Sequence, residues 1–420
     1  SITRIQSLLK MKRTPFTRRE FLTTSGRGLG LLAFSQWAPL FLAQTTLSGA
    51  PKAEKDRTIL VLVQLAGGND GLNTCVPFED RFYYNRRPTL AIPKSNVLPI
   101  SDTIGFHQSC EPLFRLLKDE KLSVIQNVGY PNPNRSHFRS MEIWETASDS
   151  DQNSSTGWLG RYFDNACNGS PTNAAPAGIH LGNETPQAFL ANKPHAIHGV
   201  QPRNQKQKRD NETTDLVKSL LKKSQPSSQN ASFLQHTMMN ALATDDRVRK
   251  LIEKRPGTTI YPNHPFSQSL ATIASLIAGG METRVYFTSL GGFDTHGNQA
   301  NQHANLLRTL SDGLSAFQKD LEALKLDDQV VTMTFSEFGR RPIENDSKGT
   351  DHGTAAPLFV MGSKVRGGLF GPDPNLRIEK NADLEYSADF RRVYATILDR
   401  WLECDSESVL GGKFDPISFL

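Results

Sequence analysis

Six side chains in glycine-bounded stretches could hold a cation: Asp70, Asp294, His296, Glu337, Asp351 and His352. They offer oxygen and imidazole nitrogen without thiolate, a donor mix suited to Zn²⁺, Mn²⁺, Ca²⁺ or Mg²⁺. Asp294 and His296 stand two apart in a loop bounded by Gly292 and Gly297, which can turn both inward on one ion. Asp351-His352-Gly353 repeats the pairing of carboxylate and imidazole. Ser136 could act as a nucleophile activated by a neighbouring cation. His137 beside it could be an acid, a base or a ligand. Arg135, Arg139 and Arg340 could clamp a tetrahedral oxyanion. Plainer readings stand beside these. Asp70 can cap a helix or close a turn. Asp351 can orient a neighbour, Glu337 can pair with Arg340 or Arg341, and Ser136 can hydrogen-bond within a turn. Seven of the ten histidines lack supporting neighbours and read as structural or surface residues.

Such loops need a scaffold. Residues 58–66, Thr-Ile-Leu-Val-Leu-Val-Gln-Leu-Ala, predict a strand buried on both faces. Further strands are predicted over 122–128, 283–290, 329–335 and 357–361, and helices over 110–119, 237–255, 301–324 and 389–402. The helix over 301–324 carries Leu307, Leu310, Leu314, Phe317 and Leu321 on one stripe. Strands alternating with helices predict an α/β fold with a mostly parallel central sheet flanked by helices on both faces. Ligands bind such sheets outside the carboxyl ends of the strands. Four predicted strands end in the loops that carry Asp70, Ser136 and His137, Asp294 and His296, and Glu337. Asp351-His352 instead precedes a strand. Residues 201–229 are rich in Lys, Gln, Asn and Ser, and predict a polar insertion or cap within about 190–265.

The chain has 420 residues, 37% of them hydrophobic, and a net charge of +5. Its mean hydropathy of −0.44 fits a water-soluble body. No basic stripe with interleaved aromatics is present, which argues against nucleic-acid binding. Cys75, Cys110, Cys167 and Cys404 include no C-x-x-C spacing, so neither a zinc ribbon nor a thioredoxin motif is indicated. One or two disulfides or four free thiols remain open. Arg18-Arg19-Glu20-Phe21-Leu22, followed by a glycine-rich and weakly apolar run to about Ala43, is similar to a twin-arginine export signal. The expectation is a signal and linker over 1–50, cleaved between Ala43 and Ala50. A domain over 51–420 would then be exported folded by the twin-arginine (Tat) translocase. The mature protein would be periplasmic or extracellular, with no stable membrane span.

The motifs Leu65-Ala66-Gly67-Gly68-Asn69-Asp70-Gly71, Arg135-Ser136-His137-Phe138, Gly291-Gly292-Phe293-Asp294-Thr295-His296, Phe335-Ser336-Glu337-Phe338-Gly339-Arg340 and Asp351-His352-Gly353 together resemble a family of exported bacterial proteins designated domain of unknown function 1501. That family is placed in the alkaline phosphatase-like superfamily, with sulfatases, phosphodiesterases and phosphomutases. The resemblance implies an alkaline phosphatase-like α/β fold and one or two divalent metals beside a Ser, Thr or modified Cys nucleophile. It implies metal-binding roles for Asp70, Asp294, His296 and His352, and a nucleophile near Ser136. Two departures stand out. Asp294 and His296 are two apart, where alkaline phosphatases space the pair by four. Phe338 stands where a histidine ligand is expected.

The function expected from these readings is an exported metal-dependent hydrolase of phosphate or sulfate esters, with an anionic ester as its substrate. The alternative, motivated by Phe338, is a non-catalytic exported binding protein on the same fold.

Overall fold

The structure is a computed structural model and describes residues 57–165, 175–201, 229–254 and 258–420. The twin-arginine stretch, Cys167 and all but the ends of the polar 201–229 segment lie outside the described residues. The chain divides into two compact units. The smaller, Ser1–Leu47 with Leu216–Met239, is described only through the first turns of a helix, Gln229–Glu253. The larger, Ser48–Asp215 with Asn240–Leu420, holds everything below.

Its centre is β1 (Ile59–Ala66). Alternation sends Ile59, Val61, Val63 and Leu65 into one core, and Leu60 and Leu62 into the other. A strand apolar on both faces is stable only between two covering layers, and that is what the chain builds. The other strands of the nine-stranded sheet are β2 (Leu122–Gly129), β3 (Gly178–Leu181), β4 (Ile197–Val200), β5 (Val285–Gly291), β6 (Val330–Phe335), β7 (Ala356–Met361), β8 (Gly368–Phe370) and β9 (Ala388–Asp389). Their order is β8-β2-β7-β6-β1-β5-β3-β4, with β9 paired to the end of β2.

One face is covered by helices α1 (Glu111–Lys118), α3 (Pro265–Ala278) and α4 (Gln299–Ala323). The predicted stripe of α4 is buried: Leu307, Leu310, Leu314, Phe317 and Leu321 are each at most 1% exposed. The other face is covered by α2 (His137–Thr146), the short helix Trp158–Asp164, and the C-terminal helix Phe390–Thr396 with its π-helical turn Ile397–Trp401. The short strands β3, β4, β8 and β9 went unpredicted. Within the range expected as an insertion, Ile197–Val200 is the edge strand β4.

All neighbouring pairs in the sheet run parallel except those of β7, which is antiparallel to both β2 and β6. The cause lies in the β6–β7 connection. A parallel return needs a crossover of a dozen or more residues, usually a helix. Here the chain makes only a small hairpin, Arg340–Glu344 against Thr350–His352, and so re-enters the sheet from the edge it left. Asp351 and His352 therefore stand at the edge where β1, β2, β5 and β6 end, although they precede a strand.

Cys75 and Cys110 are free and buried, and Cys404 is disulfide-bonded. Glu145, on the core side of α2, is buried and accepts from the Ala188 amide at 3.1 Å. Burial raises its carboxyl from the ordinary 4.5 to about 7, against the opposing pull of the Ala188 and Gln187 amides. The folded state thus binds this proton more tightly than the unfolded chain. The resulting stability is complete below pH 4.5 and is lost as pH rises to 7 and above. Glu145→Gln should match the wild type near pH 4 and exceed it by roughly 3 kcal/mol at pH 8. Urea unfolding at both pH values checks this, and equal stability at pH 8 would refute it.

Candidate metal centre

The site begins where β1 leaves the core. Gly67 and Gly68 turn at φ +117° and +81°, a region side chains disfavour. They are also tightly enclosed. A Cβ on Gly67 would lie 2.4 Å from the Asp294 amide nitrogen, and one on Gly68 would lie 2.4 Å from the Phe338 ring. The first, third and fourth strand-end loops are thus in direct contact. The Gly67 amide donates to Glu337 Oε1 at 2.8 Å, and the Asn69 amide to Ser336 Oγ at 2.9 Å.

On this platform lies Arg340, which is 1% exposed. Its Nε donates to the Gly68 carbonyl at 2.9 Å and its Nη1 to the Thr350 carbonyl at 2.8 Å. Nη2 meets the carbonyls of Gly67 and Phe293, and Asp294 Oδ1 at 2.7 Å. Burial alone would raise the Asp294 carboxyl. The bonds from Arg340 and His352 hold it down at about 2.

Three imidazoles gather on the same oxygen. His296 Nε2 is 3.0 Å from Asp294 Oδ1, His352 Nε2 is 3.1 Å away, and His137 Nε2 is 3.5 Å away. The ring edges facing outward are each held by an acceptor. His137 Nδ1 lies 2.8 Å from Glu337 Oε1, His352 Nδ1 lies 2.8 Å from the Arg135 carbonyl, and His296 Nδ1 lies 3.3 Å from Asp351 Oδ1. Carboxylates and carbonyls only accept, so an ion at the centre would keep the proton of each ring on Nδ1 and take the lone pair of each Nε2. His137 Nε2 is buried with no hydrogen-bond partner. His296 Nε2 and His352 Nε2 face one another at 2.9 Å, which two lone pairs tolerate only with a proton or cation between them. The donor atoms of His137, Asp294 and His352 all lie within 4.8 Å of one another. These inward-facing ring nitrogens and one charged oxygen fit a divalent ion of the Zn²⁺ type. The acceptors behind the imidazoles are the partners that orient metal-binding histidines.

The remaining sequence candidates take other places. Glu337, 1% exposed, turns Oε1 to His137 Nδ1 and the Gly67 amide, behind the imidazole. Asp351 stands behind His296 and accepts from Asn345 at 3.0 Å. That bond is the main reason its carboxyl sits below the usual range. Asp70 is fully buried and lies outside the close group of His137, Asp294 and His352. Its Oδ2 is paired with Arg87 Nη1 at 2.6 Å and accepts from Gln299, while its Oδ1 has no partner. Burial raises its carboxyl, and the Arg87 guanidinium overcomes this and lowers it. Ser136 is exposed at the start of α2, and its hydroxyl does not cap the helix. Its amide donates to Asn134 Oδ1 at 2.8 Å.

Two arginines differ from their expected role. Arg139 is not directed to an oxyanion. Its donors go to Asn153 Oδ1, the Ser150 and Gln152 carbonyls and Glu142, the loop and turn around its own helix. Arg340 is committed within the site: Nε, Nη1 and Nη2 go to backbone carbonyls and Asp294, and Nη1 also lies 3.5 Å from His296 Nε2, so it positions Asp294 instead. Phe338 packs its ring on His137 and His352, at centroid distances of 4.9 and 4.6 Å, and so fixes ring planes.

Arg87, Gln299 and Asn345 went unnoticed in the sequence. No local motif marks them, since each gains its role from a partner far along the chain. Arg87 bridges Asp70, Asn73 and the carbonyls of Arg341 and Pro342.

Helices on both faces of a mostly parallel sheet, with an Asp/His cluster at its carboxyl edge, define a layered α/β protein with a candidate cation site where four of its strands end. The family described as Protein of unknown function (DUF1501) matches residues 57–410, and the chain belongs to it. No curated protein matches. Similar solved structures include a protein in the alkaline phosphatase superfamily from Vibrio parahaemolyticus, at 10% identity and TM-score 0.34, covering 76% of this chain and 64% of that one. Alkaline phosphatase from the Antarctic bacterium TAB5 is 10% identical, with TM-score 0.33 and 75% and 94% coverage. The C-terminal periplasmic domain of EcEptC from Escherichia coli, in complex with Zn, is 11% identical, with TM-score 0.35 and 74% and 75% coverage.

The Asp70–Arg87 pair yields a direct test. Arg87→Met leaves a carboxylate buried and uncompensated, and should cost about 3–5 kcal/mol in urea unfolding. Adding Asp70→Asn should recover most of that loss. A loss below about 1 kcal/mol in the single variant would show that the pair is not needed to keep Asp70 buried.

Proposed function

We propose that this protein is an exported, metal-dependent hydrolase of phosphate or sulfate esters. The observation that carries the reading is the convergence of His137, His296 and His352 on Asp294 Oδ1, with each Nε2 facing inward and His137 Nε2 left without a hydrogen bond. Asp294, His137 and His352 would hold the ion, with His296 Nε2, 3.0 Å from Asp294 Oδ1, as a further ligand. When bound, a divalent ion supplies Lewis-acid polarisation of an ester oxygen and eases deprotonation of an attacking hydroxyl or water.

The chain's own groups account for the rest. Ser136, exposed and next to His137, is the proposed nucleophile. The ten-residue helix α2 starts at His137, so its amide end favours an anionic group there. Arg135 is the proposed clamp. Its guanidinium is half-exposed and, among the described residues, is held by a 3.2 Å contact to Asp383, so it can turn to a ligand. A non-catalytic binding role is the rival that the Asp70–Arg87 pair favours, because it occupies a carboxylate expected to bind metal.

Export through the Tat translocase is part of the proposal. The disulfide at Cys404 suits an oxidising compartment. No helix among the described residues is long and apolar enough to cross a membrane.

The purified protein should carry a divalent ion by elemental analysis and hydrolyse p-nitrophenyl phosphate or sulfate. Asp294→Asn and His352→Ala should each lower kcat/KM by about 10²-fold or more, beyond the loss typical of outer partners. No bound ion, together with hydrolysis indifferent to chelators, would end the metal reading. An ion bound with no turnover on either ester would favour the binding protein. Replacing Arg18 and Arg19 together by Lys should leave the protein in the cytoplasm on cell fractionation. Unchanged export would remove the twin-arginine signal from the account.

A further inference from the structure

We infer that Asn345 is the positioning residue of the centre, setting the ring orientation and tautomer of His296 through Asp351. The inference rests on the metal-site reading above. Asn345 lies at the tip of the hairpin between β6 and β7, in no strand-end motif. Its amide is fully used in four directions. Nδ2 donates to Asp351 Oδ1 at 3.0 Å and to the His296 carbonyl at 3.0 Å. Oδ1 accepts from the Ser347 and Gly349 amides, each at 3.0 Å. The donor half thus reaches both members of the Asp351–His296 pair, while the acceptor half closes its own turn.

The surrounding backbone makes that connection rigid. The Asn298 and Gln299 amides donate to the Ser347 and Lys348 carbonyls at 2.9 Å, and the Thr350 amide to the Thr295 carbonyl at 3.2 Å. Gly349 sits so close to His296 that a Cβ there would lie 2.2 Å from the His296 carbonyl carbon. The hairpin tip and the 294–299 loop are thus bound together along their backbones, and Asn345 is the side chain that joins Asp351 to His296 across them.

The consequence is chemical. Asp351 Oδ1 has two donors near it, Asn345 Nδ2 at 3.0 Å and His296 Nδ1 at 3.3 Å. Asn345 holds that oxygen where His296 Nδ1–H can reach it. An acceptor held there keeps the proton on Nδ1 and leaves Nε2, which faces His352 Nε2 and Asp294 Oδ1, available to the ion. If Asp351 drifts away, His296 loses its only acceptor on that side, and the proton is free to move to Nε2. That would block the nitrogen aimed at the ion.

The two halves of the Asn345 amide can be separated. Asn345→Asp keeps an acceptor for the Ser347 and Gly349 amides, and so keeps the turn. It replaces the donor with an oxygen that repels Asp351 and the His296 carbonyl. The prediction is a 10–100-fold loss of Zn²⁺ affinity, measured by competition with a chromogenic chelator. In the metal-free protein, long-range ¹H–¹⁵N NMR of the His296 ring should show Nδ1–H in the wild type and Nε2–H in the variant. In an Asp351→Asn background the same substitution should cause no further loss, because its route is gone. Unchanged affinity, an unchanged tautomer, or a fully additive loss in the double variant would each overturn the inference. Should Asn345→Asp fail to fold, Asn345→Ser takes its place in the same three measurements. A wild type that binds no Zn²⁺ would count against the metal-site reading, and the metal-free NMR comparison would still decide the role of Asn345.

Discussion

A single carboxylate oxygen, Asp294 Oδ1, is met by Arg340 and by three imidazoles. The geometry of the centre depends on that oxygen staying charged and staying still. Arg340 achieves both. It is buried, and it is anchored by carbonyls from the loops after β1 and β5 and by Thr350 of the hairpin. A guanidinium is a rigid plane, and bonds from its Nε, Nη1 and Nη2 to separate loops hold it against rotation. The loops that supply those carbonyls are held in register by the sheet below them.

Around this oxygen the chain sorts its polar groups into two tiers by what they can donate. The imidazoles turn Nε2 toward the centre, and acceptors lie behind them at Nδ1: Glu337, Asp351 and a backbone carbonyl. The same residue types could have been assigned the other way round. Glu337 cannot turn to the centre, because its Oε1 is also held by the Gly67 amide. Asp70 is further removed. Taking a carboxylate fully out of water demands a partner, and Arg87 provides it. The buried positive charge beside Asp70 is therefore the guanidinium of Arg87.

The backbone makes this sorting possible through one reversed strand. Four parallel strands deliver four loops to one edge. The fifth polar segment reaches that edge because β7 enters the sheet antiparallel, so that its beginning, rather than its end, lies there. Asp294 and His352, 58 residues apart in sequence, thereby come within 3.1 Å.

The amino-acid order alone determined the central layer and the polar edge. The run Ile59–Ala66 is apolar at every core position, and the Leu307–Leu321 stripe keeps helical spacing, so local pattern and burial agree. The glycine-bounded loop with Asp294 and His296 was legible for a similar reason, since it follows a buried strand, and Asp351-His352 was legible from its paired residue types. What the order could not determine was anything fixed by a partner distant in the chain. The direction of β7 depends on the absence of a crossover helix. The short strands β3, β4, β8 and β9 hold only two to four residues each, too few for a period to register. Whether a carboxylate faces the centre, backs an imidazole or pairs with a buried arginine depends on which donor lies within about 3 Å of it. Those donors, Arg87, Gly67 and Asn345, are 17, 270 and 6 residues away from the carboxylates they govern. Separations so varied leave no periodic trace, and only the folded chain brings the pairs together.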